Sequence, residues 1–277
     1  MVPSSAPGGP GPWCGTRHSV EPGSFAPLAE PDPRLGVGDG AVRVVHRGYV
    51  EQGRRRRCNL HVMGALIAVE GLDGAGKRTL IDAVVAGLRD RGLRVETLAF
   101  PRYGRSIHAD LAAEALRGRH GDVAASVRAM ALLFALDRAE ARDGLSKLLA
   151  DNDIVLLDRY VASNAAYSAA RSGEQADGET SSWIAELEFG RFELPVPDIQ
   201  VLLDVPTELA IERARRRGEL DTARALDAYE RDVSLQERTA AVYRVLAESQ
   251  WHGPWWVHAP QDDPARLTER LAELIGR

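Results

Sequence analysis

The chain has 277 residues, 44% of them apolar, and a formal net charge of −5. That length holds one α/β domain of roughly 200 residues plus a further segment, and the charge gives no ground for a nucleic-acid or anionic-membrane partner. The two cysteines, Cys14 and Cys58, both fall in the leading segment, so the body has neither a disulfide framework nor a thiolate metal site.

Residues 1–62 carry eight of the 15 prolines and ten of the 26 glycines, with no helical or strand periodicity. Such a stretch buries too little apolar surface to offset its ordering entropy and is predicted to be a disordered extension. The run Arg54-Arg55-Arg56-Arg57 is read as a solvated charge cluster, the alternative being a nucleic-acid tether. No apolar run reaches the ~18–20 residues of a membrane span. The start lacks signal-peptide features, and a cytoplasmic location is expected.

From residue 66 the pattern alternates between strand and helix. Strands are predicted over 66–70, 94–100, 154–158, 199–205 and 255–258. Helices are predicted over 77–91, 109–116, 123–149, 159–170, 180–191, 206–217, 227–248 and 264–275. This alternation predicts an α/β fold with a parallel five-stranded sheet and helices on both faces. Ligands then sit beyond the carboxyl ends of the strands.

Directly after the first strand stands Gly71-Leu72-Asp73-Gly74-Ala75-Gly76-Lys77-Arg78-Thr79. A G-x4-G-K spacing between a strand and a helix is the context of a phosphate-binding loop, hence of a P-loop NTPase fold. Lys77 would add a mobile charge near the β/γ-phosphates. Arg78 takes the place of the usual Ser/Thr that reaches Mg²⁺, and Thr79 would restore the hydroxyl only in a shifted register. Asp73 is the nearest carboxylate for a hard cation, or else a turn-stabilising side chain.

A second constellation lies at the end of the third strand. Asp158 and Arg159 are placed where a second phosphate would meet the first, and Arg159 suits bidentate phosphate binding. Ser163, Asn164 and Tyr167 follow on the next helix. Phe134 and Arg138 share a helix face and would suit a planar heterocycle with carbonyl groups; taken singly, such residues are more often core packing (Phe134) and a surface ion pair (Arg138). Arg213 and Arg217 project to one side near the end of the helix over 206–217.

In order, these landmarks are GLDGAGKRTL, FPRYG at 100–104, FALDR at 134–138, DRYVASNAAYSAA at 158–170, an Arg-rich lid at 213–224 and DAYERD at 227–232. Residues 64–277 thereby resemble the bacterial thymidylate kinases, which transfer the γ-phosphoryl group of ATP to dTMP in the synthesis of dTTP. The leader has no counterpart in that family. The resemblance implies that Phe134 stacks on thymine and that Arg138 and Asn164 bond its edge. Tyr167 lies near the sugar and Arg159 holds the acceptor phosphate. Phe100, Pro101 and Tyr103 line the acceptor pocket.

Asp73 would serve the sugar hydroxyl and the metal, with Asp227 and Glu230 as further metal candidates or plain helix-start charge. Arg78 would counter charge on the transferring oxygens, and Arg213 and Arg217 would close over ATP. Mg²⁺ is the expected cofactor and a homodimer the expected assembly, with an apolar stripe at Val127, Met130, Ala131, Phe134 and Leu145 as its basis. No general base is required, because the acceptor oxygen is already anionic. Two rivals stand beside this reading: a kinase of another nucleotide on the same scaffold, and a nucleotide-binding regulator without turnover.

Overall fold

The computed structural model describes residues 63–220 and 228–276. The expected extension over 1–62, the part of the expected lid that holds Arg224, and the metal candidate Asp227 lie outside the described residues.

Strands β1 (Ala65–Glu70), β2 (Val95–Ala99), β3 (Ile154–Asp158), β4 (Ile199–Leu203) and β5 (Trp255–His258) form one sheet in the order β2-β3-β1-β4-β5. Every pairing is parallel. The central strands are near-continuous runs of Leu, Ile, Val and Ala, as strands covered on both faces require. Alternate residues leave on opposite sides. Leu66, Ala68, Val155, Leu157 and Leu202 join one core, covered by α3 (Val127–Asp151), α4 (Val161–Ser172) and α8 (Val233–Glu248) through Leu145, Ala165 and Leu246. Ile67, Val69, Leu156, Val201 and Leu203 join the other, where α1 (Lys77–Asp90) contributes Val84 and Leu88 and α9 (Pro264–Leu274) contributes Leu267 and Leu271. This is the expected P-loop architecture. Pairing of Val69 with Asp158 ends β1 and β3 side by side, so the loops that leave the two strands face one crevice.

The remaining elements are α2 (Ile107–Leu116), α5 (Glu179–Ala185), a π-helical segment (Glu186–Arg191), α6 (Thr207–Leu220) and α7 (Ala228–Arg231). Several boundaries differ from the sequence expectation for identifiable reasons. The helix expected over 123–149 starts at Val127, because Ser126 caps it by accepting the Ala129 N–H at 3.2 Å. The helix expected over 159–170 starts at Val161, because Arg159 adopts the left-handed region with φ 67°. The helix expected over 227–248 is split at Asp232, whose carboxylate accepts the Leu235 N–H at 3.0 Å and begins a new helix. The segment expected as one helix over 180–191 changes to π winding at Glu186. Met130, Ala131 and Leu145 of the apolar stripe are buried in the chain's own core, so they cannot form a partner surface.

Candidate active site

Residues 71–76 join β1 to α1. Gly71 has φ 136°, and a Cβ there would stand 2.7 Å from the Leu203 carbonyl oxygen; at Gly74, φ 79°, it would stand 2.0 Å from that of Ala210. Only glycine lets the loop pass so close to β4 and α6. Buried Leu72 and Ala75 anchor the loop in the core. Gly76 leads into α1, whose first turn has no acidic residue; its N-terminal N–H groups are therefore an unopposed anion site.

Lys77 folds back over the loop and donates to the carbonyl oxygens of Gly71 at 3.0 Å and Leu72 at 2.8 Å. Burial, then the Arg159 charge, lower its pKa to about 8. Arg78 points outward with its side chain 79% exposed and pairs with Asp82 at 3.0 Å.

At the end of β3, Arg159 is 12% exposed, and its Nη2 lies 2.7 Å from Asp73 Oδ1. Nη1 donates to Ser163 Oγ at 3.2 Å, and the guanidinium lies 5.4 Å from the Tyr167 ring centroid. Tyr167 donates to Asp73 Oδ2 at 3.1 Å. Burial works against an ionised Asp73, but Arg159 and Lys77 outweigh it and hold the carboxyl well below the usual range. The glycine-rich loop and the strand-end arginine are thus joined through one carboxylate.

Beneath this pair lies Glu70, 0% exposed at the end of β1. It accepts from the Tyr160 N–H at 2.8 Å, Ser163 Oγ at 2.5 Å and Tyr243 Oη at 3.1 Å. Burial raises its pKa, against the Ser163 hydrogen bond and the Arg159 charge. Glu70 therefore holds the backbone next to Arg159 and the hydroxyl that Arg159 bonds. A left-handed conformation at a residue such as Arg159 costs about 1–3 kcal/mol, which this buried anchor resists.

On α3, Asp137 accepts the Arg102 N–H at 2.9 Å and Arg102 Nε at 2.8 Å, pinning the 100–104 loop. The adjacent Arg138 is gripped by buried Glu188. In α6, Arg213 donates to the Ala75 carbonyl oxygen at 3.3 Å, and Arg217 pairs with Glu230 at 2.5 Å.

One cavity of about 720 Å³ collects these groups. Of the residues singled out in the sequence, Asp73, Gly74, Gly76, Lys77, Arg78, Thr79, Arg213, Arg217 and Glu230 line its loop and α6 end. Phe100, Pro101, Tyr103, Phe134, Arg138, Asp158, Arg159, Ser163, Asn164 and Tyr167 line the rest. Gly71, Leu72 and Ala75 stand behind the lining, and Asp227 lies outside the described residues. Glu70, Glu188 and Tyr243 were not foreseen, nor was Arg171, which bonds Tyr229 and donates to the Ala124 carbonyl oxygen at 2.5 Å. An acid ending an apolar strand was the one available signal, at Glu70.

A phosphate loop facing a strand-end arginine across such a cavity suits two anionic ligands meeting end to end. The thymidylate kinase family model matches residues 69–253. A thymidylate kinase of Mycobacterium tuberculosis is 57% identical over 207 residues, 75% of this chain and 97% of the relative. The chain belongs to the thymidylate kinase family. A thymidylate kinase of Idiomarina loihiensis is 32% identical over 66% of this chain and 84% of its own length. A probable thymidylate kinase of Archaeoglobus fulgidus is 34% identical over 58% of this chain and 75% of its own.

The buried lysine gives this member of the thymidylate kinase family a measurable pH signature. With a pKa of about 8, Lys77 loses its proton in the empty protein as pH rises through that value. A bound triphosphate favours the charged form, so ATP binding should take up close to one proton at about pH 9 and almost none near pH 6.5. Calorimetry in buffers of different ionisation enthalpy reads this uptake, which Lys77→Met should abolish.

Proposed function

We propose that this chain is an ATP:dTMP phosphotransferase that passes the γ-phosphoryl group directly to the dTMP phosphate, with no covalent enzyme intermediate. The convergence of Lys77, Asp73 and Arg159 on one cavity carries the mechanism. On the donor side, residues 71–79 would cradle the ATP phosphates and Arg213 and Arg217 would close over them, excluding water. On the acceptor side, Phe134, Arg138 and Asn164 would take the thymine. Tyr167 and Asp73 would face the sugar, and Arg159 the phosphate, alongside Phe100, Pro101 and Tyr103. The acceptor oxygen is anionic at neutral pH, so positioning and charge stabilisation suffice.

Among the described residues no group of three or more His, Cys, Asp or Glu could hold a metal ion. Mg²⁺, however, is commonly bound through one or two carboxylates and phosphate oxygens. Asp158 Oδ1 is buried without a hydrogen-bond partner and Asp158 lines the cavity, which suits a hard cation. Asp73 and Asp158 would hold Mg²⁺ here, while Glu230 lines the same cavity paired with Arg217. When bound, the ion would neutralise phosphate charge.

Arg78 belongs to the proposal as a rim group that exchanges Asp82 for the donor phosphates. An exposed i,i+4 pair is worth only about 0.5 kcal/mol, so little opposes the exchange. Arg78→Ala should lower kcat by roughly tenfold or more with both substrates saturating; turnover within twofold of the parent would reject this role.

The domain is taken as 63–277, with a lid near 213–224. A homodimer and a cytoplasmic location complete the reading; light scattering of the purified chain checks the first. No helix among the described residues is long and apolar enough to cross a membrane. The deciding experiment is ADP release by the full chain with dTMP, dUMP, dGMP and free thymidine as acceptors. Release that depends on dTMP supports the proposal. A regulator that only binds ATP would release no more ADP with dTMP than without it.

A further inference from the structure

Helices α3 and α4 meet over a carboxylate that belongs to neither. Glu188 comes from the π-helical segment Glu186–Arg191, and its side chain is 0% exposed. Its Oε2 accepts from Arg138 Nε at 2.5 Å, and its Oε1 from Arg138 Nη2 at 2.7 Å. The same Oε1 accepts from Asn164 Nδ2 at 2.8 Å, and Nδ2 gives its other hydrogen to the Ala131 carbonyl oxygen at 2.9 Å.

This pattern removes a freedom that an asparagine otherwise has. An amide nitrogen carries two hydrogens, and here both go to acceptors that cannot donate. Flipping the amide would set its oxygen against a carboxylate and a carbonyl. Asn164 Oδ1 is therefore fixed as the remaining acceptor, with Ser168 Oγ at 3.4 Å its neighbour. On Arg138 the Nε–Nη2 edge is consumed, which leaves Nη1 and the second Nη2 hydrogen. Because Arg138 and Asn164 share one oxygen of Glu188 and both line the cavity, the wall offers a fixed acceptor beside a fixed donor.

We infer that Glu188 is the positioning residue that decides which bases the acceptor site takes. It locks Asn164 as an acceptor and fixes the orientation of Arg138, a donor in any case, matching a ring N–H next to a carbonyl as in thymine or uracil. Cytosine presents a bare ring nitrogen next to an amino group, so both polar contacts would be mismatched. As a stabiliser alone a buried ion pair achieves little, since desolvation offsets its attraction; here its orientation is what matters. The inference rests on the reading of this cavity as a nucleotide acceptor site.

The test compares the parent full-length chain with Glu188→Gln and Glu188→Asp. It measures kcat/KM and, by calorimetry, Kd for dTMP, dUMP and dCMP. In the parent, dCMP should fall at least about 100-fold below dTMP, while dUMP, lacking only a methyl group, stays within about tenfold. In Glu188→Gln the isosteric amide can turn its NH₂ toward Asn164, so only the Ala131 carbonyl still opposes the flip. The dTMP:dCMP ratio should then narrow roughly tenfold or more, with KM for dTMP rising and kcat nearly kept. Glu188→Asp, still charged, should restore part of the ratio.

A purely structural Glu188 would lower all three nucleotides together and leave the ratio within twofold of the parent, which overturns the inference. N3-methyl-dTMP lacks the ring N–H; its acceptance by the parent as readily as dTMP overturns it without any variant. Absence of ADP release with every nucleotide would sink the kinase reading alone, and the Kd ratios would still decide the role of Glu188.

Discussion

Arg159→Ala is expected to lower kcat/KM for dTMP by about 10³-fold, on the order of 4 kcal/mol of transition-state stabilisation. The size of the effect comes from where the guanidinium sits. It is nearly buried, paired with Asp73 at 2.7 Å and bonded to Ser163 at 3.2 Å. Its charge is thus pre-aimed and poorly screened, so it costs little reorganisation when phosphate arrives. Arg159→Lys should recover only part of the loss, because an ammonium lacks the planar fork.

The same substitution carries an internal check. Arg159 is one of the causes holding the Lys77 pKa near about 8. Removing it should raise that pKa, so the proton uptake on ATP binding at pH 8 should shrink in Arg159→Ala. Steady-state kinetics together with calorimetry read both effects. A variant with kcat/KM within tenfold of the parent would show that Arg159 is not the acceptor-phosphate clamp.

Glu70→Ala should destabilise the fold by about 4 kcal/mol, because three donors lose a buried acceptor at once. For a domain of this size that is a fall in Tm on the order of 10 °C, read by calorimetric or circular-dichroism melting. Loss of dTMP turnover should accompany it, since Ser163 and the backbone after Arg159 lose their anchor. Glu70→Gln keeps the shape and one acceptor, and should cost about 1–2 kcal/mol.

The pH dependence separates the two variants further. Burial raises the Glu70 pKa above its ordinary 4.5, so the fold binds this proton more tightly than the unfolded chain does. Its contribution to stability is then full below pH 4.5 and is lost as pH rises to the folded value. Glu70→Gln should remove that decline. A parent and Glu70→Gln whose stability curves run parallel across this range would contradict the raised pKa.

Strands β3 and β5 were legible to the residue, and the loop over 71–77 was legible together with its flanking strand and helix, because all depend on local signals. Apolar runs, glycine spacing and turn residues act over a few positions, and a sequence displays them directly. Ser163, Asn164 and Tyr167 were reachable because they closely follow Asp158 and Arg159 at the end of the third strand, within the DRYVASNAAYSAA landmark. Glu188 was not: it meets Arg138 across 50 positions, from a π turn with no composition of its own. Glu70 and Tyr243 are 173 positions apart, and nothing local couples a strand-end acid to a helix tyrosine. Arg159 showed the opposite difficulty. Its type and place were readable, but its left-handed backbone, which delays α4 until Val161, exists only because the surrounding hydrogen bonds impose it. On α3, Met130, Ala131 and Leu145 misled for a related reason, since periodicity announces a buried face without saying what covers it.

Val69 and Asp158 are partners in neighbouring strands, and this sets a gauge for the chemistry. If the loop and Arg159 hold the two phosphates as proposed, the span between them starts from the interstrand gap of about 4.8 Å. On that reading, the α3 and α4 walls could be rebuilt for a different acceptor while the loop and Arg159 keep the spacing of β1 and β3.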